Sequence, residues 1–266
     1  MSKLSPEQID TALDTYFAEM RFGHQFLAEY LPTGKLRVLE VGAGLGLLSI
    51  YLHRLGHDAV ALEPAALSFG IFEATKKLIW SKSDNLPHLV EKFAEQLTPE
   101  EDGQFDFIFS INVMEHIADI DRATDAILTC LDKSGICVNS CPNYWVPYEP
   151  HYAIPMVPFA PGITKRIYSK KISANQEIWD SLNFISHGKV KRMARRNQVS
   201  VSFEPGLIFK SFARLGEDTE FLERHKNGLV GRIYRILTAT RLLNGLKLLP
   251  TALSTPMIFT YRKMGS

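Results

Sequence analysis

Three cysteines in 266 residues, at positions 130, 137 and 141, are too few and too odd in number for a disulfide framework. The CVNSC pair is one residue too wide for a C-x-x-C redox or zinc motif, so the cysteines read as buried, reduced thiols and no metal centre is expected. Nowhere does the chain hold the roughly 18 uninterrupted apolar residues of a membrane span. Its start, MSKLSPEQID, lacks the apolar core of a secretory signal, which makes the cytoplasm the expected location. Internal repeats and low-complexity tracts are also missing, which excludes solenoids and long disordered tails. What is there, 45% hydrophobic, 22% charged and 11% aromatic residues, suits a folded chain with one substantial core.

Net charge is nearly absent as well, at +1, but it is unevenly divided. Residues 1–150 carry 11 basic and 22 acidic side chains, and residues 151–266 carry 19 and 7. Such asymmetry marks either one part that meets an anionic partner or two parts that attract each other.

Ser5-Pro6-Glu7-Gln8 reads as a capped helix start, followed by Ile9, Leu13, Tyr16, Phe17 and Met20 at helical spacing. From residue 36 short apolar runs alternate with helical stretches. The strands are LRVLEV, DAVALE, a weak one near LVEKFA, FDFIFSI and GICVNSC, and the helices between them run through LGLLSIYLHRL, AALSFGIFEATKKLIW and DRATDAILTCL. Strands separated by helices imply right-handed crossovers and a parallel sheet, hence an α/β layered fold. About thirty residues rich in proline and aromatics follow Cys141 and read as a long functional loop. Helices resume around EIWDSL and HGKVKRMARRN, then come the strand VSVSFE, a mostly helical segment over about 217–248 and the strand PMIFTYRK. The organisation expected is a single domain: a first helix within 1–31, a core over 36–143, a substrate loop at 144–185, a helical insert at 207–250 covering the substrate, and a last strand at 256–263.

The segment VLEVGAGLG puts Glu40, Gly42, Ala43, Gly44 and Gly46 where the first strand must turn into a helix, the edge at which open α/β sheets bind ligands. Glycine there permits positive φ and close approach of a ligand. A dinucleotide fingerprint G-x-G-x-x-G would need glycine at position 47, which is leucine. The second strand ends in Glu63 and Pro64, and an acid at this place can accept hydrogen bonds from ribose hydroxyls. The residues therefore indicate a nucleoside without saying which.

The register of VLEVGAGLG resembles motif I, D/E-x-G-x-G-x-G, of the class I S-adenosylmethionine (SAM) dependent methyltransferases. FDFIFSINVMEHI resembles that family's FDxVxxxxVLEHL segment, and FAEQLT its D-A-E-x-L-P segment, with Phe93 in place of the acid. The resemblance implies a Rossmann-like seven-stranded sheet with helices on both faces and an antiparallel last strand, and SAM as cofactor. Carried over, it places Glu40 toward the methionine ammonium, Gly42, Ala43 and Gly44 beneath the cofactor, and Glu63 with Pro64 at the ribose. Ala94 and Glu95 would then lie beside the adenine, and Asn112 and Val113 beside the methionyl part. Gly46 also has a purely structural reading, as a position of close packing.

Methyl transfer to a hydroxyl gains from a base, and His116, His151 and Tyr148 are the candidates, from the end of the fourth strand and the loop after the fifth. Each histidine can equally be structural. Arg21 and His24 either reach over the site or belong to a packing helix. Lys189, Lys191, Arg192, Arg195 and Arg196 occupy one side of a helical wheel, as on a solvated helix or a surface for an anionic acceptor. GLVGRIYRILTATRLLNGLKLLP is apolar and basic, which fits a lid helix or peripheral membrane contact. Base methylation of nucleic acid is disfavoured, because SINV stands where an N/D-P-P-Y/F signature would be. The expected activity is O-methylation of a small, lipid-linked or sugar-linked acceptor. The alternatives are a methyltransferase on RNA or another anionic polymer, a nicotinamide-dependent oxidoreductase, and a non-catalytic adenosyl-binding module.

Overall fold

Near-continuous apolar strands need cover on both faces, and the observed sheet meets that need. The computed structural model describes residues 17, 20–64, 71–82, 84–217, 222, 226 and 228–264. The Ser5–Gln8 helix start lies outside the described residues, while residues 20–30 are helical as expected. The strands are β1 (Arg37–Val41), β2 (Asp58–Leu62), β3 (His88–Val90), β4 (Phe105–Ile111), β5 (Leu131–Cys141), β6 (Tyr148–Glu149), β7 (Ile154–Pro155), β8 (Val199–Phe203) and β9 (Met257–Lys263). Seven of them form one sheet in the order β3-β2-β1-β4-β5-β9-β8. β1 runs parallel to β2 and to β4, with Leu39 opposite Val60 and Ile108, and β2 runs parallel to β3. Val38, Leu39, Phe107, Ile108 and Phe109 are almost wholly inaccessible.

β9 runs against its neighbours. The Lys263 ammonium donates to the carbonyl of Leu131, at the start of β5, while the Asn143 N–H just beyond the end of β5 donates to the Thr255 hydroxyl. The Ser200 hydroxyl meets the Arg262 carbonyl, and the Glu204 N–H meets that of Ile258. This is the Rossmann-like α/β sheet expected from the sequence, with an antiparallel last strand.

Several local expectations shift. The strand anticipated near LVEKFA stops at Val90, and Ala94–Gln96 forms a tight 3-10 turn instead. The Phe93 N–H bonds to the Gln96 side chain and Lys92 is drawn to Asp102, so the backbone leaves the ladder. β5 starts four residues early, at Leu131. The long loop after it contains the β6-β7 hairpin and helices Pro161–Ile167, Ser169–Ile172 and Gln176–Ser181, the first opened by a proline at its first position. Helices Leu207–Glu217 and Leu229–Ala239 both lie within 207–250. All three cysteines are buried and none is in a disulfide, and burial pushes the Cys130 thiol to about 11 and that of Cys137 to about 12. Among the described residues no helix is long and apolar enough to cross a membrane.

Two compact units partition the chain: residues 1–139, 193–201 and 260–266 form one, and residues 140–192 and 202–259 the other. In the first, the helix over 20–30 is a packing helix. A Cβ on Gly23 would sit 2.3 Å from a methyl of Leu48, and His24 bonds the Tyr51 hydroxyl at 3.0 Å. The end of helix His187–Arg196 that belongs to this unit buries Met193 and Ala194, and Arg196 spends its charge on Asp121 and Asp125, at 3.2 and 2.6 Å. In the second unit, Tyr152, Ile154, Ile172, Trp179 and Leu182 make an apolar cluster. The Tyr152 hydroxyl donates to the Asn175 carbonyl and accepts the Trp179 N–H.

Candidate functional site

The turn after β1 is built on backbone that only glycine adopts easily. Gly42, Gly44 and Gly46 have φ of 72°, 56° and 76°. The N–H groups of Gly42 and Ala43 both donate to the Leu62 carbonyl, which ties the turn to the end of β2. At Gly42 space matters as much as φ: a Cβ there would stand 2.4 and 2.5 Å from the two methyls of Val113. The end of β1 thus meets the residue that follows β4 with no room for a methyl group. Gly46 is closed in by Trp80, whose ring would be 2.7 Å from an added Cβ and whose indole N–H donates to the Leu45 carbonyl. Close packing therefore accounts for Gly46.

Gly42→Ala should cost about 3 kcal/mol, since a left-handed backbone and an overpacked contact each contribute on the order of 1–2 kcal/mol. In a denaturant-unfolding cycle with Val113→Ala, the double variant should recover about 1 kcal/mol of that loss. Strict additivity would mean that the Gly42–Val113 contact is not what excludes a side chain.

Two carboxylates face this turn. Glu63, half-buried at the end of β2, accepts the Gly44 N–H at 2.9 Å on Oε2. Burial raises its carboxyl, an effect moderated by the Gly44 bond and by Lys76. Glu40, buried in β1, accepts the backbone N–H and the hydroxyl of Ser49 on Oε2, at 2.9 and 2.5 Å. Burial pushes its carboxyl up to about 8, with Ser49 pulling the other way and Glu63 adding a smaller push. Oε1 of each glutamate accepts no hydrogen bond from the described residues. A pinned carboxylate with one oxygen to spare at the end of β2 suits a sugar diol. A second, buried carboxyl that holds its proton until a cation is beside it suits an ammonium. The donor set therefore fits SAM.

The remaining residues indicated by the sequence lie on the same unit. Pro64 is half-buried behind Glu63, and Ala94 is buried in the turn after β3. Glu95 accepts the Asp119 N–H at 3.3 Å, which links that turn to the segment after β4. Asn112 is exposed with φ of 55°, and Val113 is half-buried against Gly42. His116 is half-buried in the tight turn Met114–His116, next to buried Glu115.

The second unit carries the other two candidates. Glu149 is fully buried, and its carboxylate accepts the Tyr144 hydroxyl at 3.2 Å, the Tyr152 N–H at 2.7 Å and His151 Nδ1 at 2.6 Å. Burial by itself would raise Glu149, but the bonds from His151 and Tyr152 outweigh it and hold the group below the ordinary carboxylate value. Its share of stability is therefore present above about pH 4.3 and lost as the pH falls below that. The pair presents an imidazole fixed in orientation by a carboxylate, the arrangement that equips a histidine to take a proton. Tyr148 stands differently: burial and then the charge of Glu149 raise its phenol, which makes it a poor base near neutral pH. Sequence reasoning missed Ser49 and the role of Glu149. The signal for Glu149 was its place two residues before His151, and Ser49 had none.

Residues 13–196 match the family model of a methyltransferase domain. An uncharacterized protein of Mycobacterium tuberculosis is 34% identical over 226 residues, covering 81% of this chain and 76% of that protein. The ubiquinone biosynthesis O-methyltransferase of Rhodopseudomonas palustris is 25% identical over 180 residues, 67% of this chain and 64% of the relative. Two solved structures share the fold. An S-adenosylmethionine dependent methyltransferase from Mesorhizobium loti has a TM-score of 0.55 at 16% identity, covering 90% of this chain and 96% of its own. Phosphoethanolamine N-methyltransferase 2 of Haemonchus contortus has 0.53 at 15%, covering 90% of this chain and 51% of its own.

Proposed function

The chain belongs to the class I S-adenosylmethionine-dependent methyltransferases, and from that premise we propose that it methylates an oxygen of a small, lipid-linked or sugar-linked acceptor. The observation that carries the choice of oxygen is the buried Glu149 carboxylate on His151 Nδ1 at 2.6 Å. A hydroxyl acceptor must lose a proton as it is methylated, and an oriented imidazole supplies the base. The 25% identity to ubiquinone biosynthesis O-methyltransferase points the same way.

SAM, when bound, supplies an electrophilic methyl group on a sulfonium. In this reading Glu63 receives the ribose hydroxyls on the oxygen that Gly44 leaves open, and Glu40 receives the methionine ammonium. Gly42, Ala43 and Gly44 lie beneath the nucleoside, where a side chain would intrude, and Ala94 and Glu95 flank the adenine. Asn112 and Val113 border the methionyl part. His151 takes the acceptor proton at Nε2 while Glu149 holds the ring and balances the positive charge that forms on it. His116 is the second candidate for the base.

Glu63→Ala should weaken SAM binding by about 1.5–3 kcal/mol, the usual worth of hydrogen bonds to a charged group. Calorimetry with SAM and its demethylated product checks this, and unchanged affinity would remove Glu63 from the site. To identify the acceptor, the protein and methyl-labelled SAM would be incubated with fractionated cell extract. Label in a methyl ether or ester supports the proposal, and label only on nitrogen or carbon overturns the choice of oxygen.

A further inference from the structure

Phe159 is 84% exposed with φ of 58°, a backbone region that bulky side chains rarely occupy. Its ring meets Trp145, itself 48% exposed, edge-on at 6.3 Å. Trp145 cannot fold away freely: Gly188 packs so closely that a Cβ there would be 2.9 Å from the indole, and the Trp145 N–H donates to Asn143 Oδ1. In the helix that follows, Pro161–Ile167, the residues one turn apart at 163 and 167 are both isoleucines, 52% and 61% exposed, where a solvated face would carry polar groups. Arg166 lies three residues beyond Ile163 on the same helix, and Lys170 is in the helix that follows, Ser169–Ile172.

The charge of this stretch is one-sided. Between Glu149 and Glu177 there is no acidic residue, and Lys165, Arg166, Lys170 and Lys171 are all basic. Asp180 pairs with Lys165 at 2.6 Å, and among the described residues the other three cations make no ion pair. Exposed aromatic and β-branched residues ringed by arginine and lysine are what an interfacial lipid contact requires. A second copy of the chain fits poorly, because a two-fold contact would set these cations against themselves. We propose that the face formed by Trp145, Phe159, Ile163 and Ile167, with Arg166 and Lys170, docks on an anionic lipid bilayer.

Flotation of the full chain with vesicles tests this. Vesicles of phosphatidylcholine with one quarter phosphatidylglycerol should carry the protein at least about tenfold more strongly than phosphatidylcholine alone, with most of the difference lost in 0.5 M salt. The variant Phe159→Ser/Ile163→Ser/Ile167→Ser should bind about tenfold more weakly, and Arg166→Glu/Lys170→Glu about 100-fold more weakly. All five positions are solvent-facing, and unchanged thermal unfolding and SAM affinity would show that both variants remain folded. Failure to float with anionic vesicles at low salt overturns the proposal, as does flotation of both variants like the parent. A concentration-dependent dimer that the serine variant abolishes, without vesicle binding, overturns it in favour of self-association.

Discussion

SAM should bind more tightly as the pH rises toward 8, by up to about tenfold per unit and roughly 30-fold between pH 6 and 7.5. The cause is Glu40, whose buried carboxyl is pushed up to about 8. In the free protein it keeps its proton over a range where an unfolded chain, titrating near 4.3, has lost it. That sign means Glu40 lowers the stability of the free protein progressively as the pH climbs from about 4.5 to 8. If the methionine ammonium sits against Glu40, binding favours the carboxylate and expels that proton. Calorimetry in buffers of different ionisation enthalpy should show close to one proton released near pH 6.5. Glu40→Gln should remove the slope and, without ligand, raise the melting temperature at pH 8. A flat affinity profile would separate Glu40 from the ammonium.

Replacing His151 with alanine should lower kcat by about 10²- to 10⁴-fold, the usual worth of a positioned general base, and leave SAM affinity unchanged. Glu149→Gln keeps the shape of its side chain but loses the charge that orients the ring, so it should lose part of the same factor with no change in KM for SAM. These two measurements separate catalysis from folding, because loss of the Glu149 bonds alone would appear in thermal unfolding. A His151→Ala enzyme retaining more than a tenth of its turnover would move the base to His116 or show that none is needed.

Much of the turn after β1 was legible because its requirements are local. Three glycines with positive φ in one turn and an acid at the end of the next strand are short-range patterns, and Gly44 and Glu63 do meet, at 2.9 Å. FDFIFSI also marked β4 with its true bounds, since a run buried on both faces needs apolar residues throughout. What escaped was non-local or capillary in scale. Ser49 reaches Glu40 only once the helix has turned back on β1. The hairpin at 148–155 is held by bonds to the buried Glu149, and proline-rich sequence hides it. The turn at Ala94–Gln96 replaced a strand because the side chains of Gln96 and Asp102 captured groups that a ladder would have used.

Trp80 gives the glycine turn an optical handle. Its indole ring lies against Gly46 and bonds the Leu45 carbonyl, so the emission of this one fluorophore depends on the conformation of a backbone that has no chromophore of its own. With Trp145 and Trp179 changed to phenylalanine, a shift in its colour or lifetime would follow the entry and departure of a nucleoside in real time, without labels or turnover.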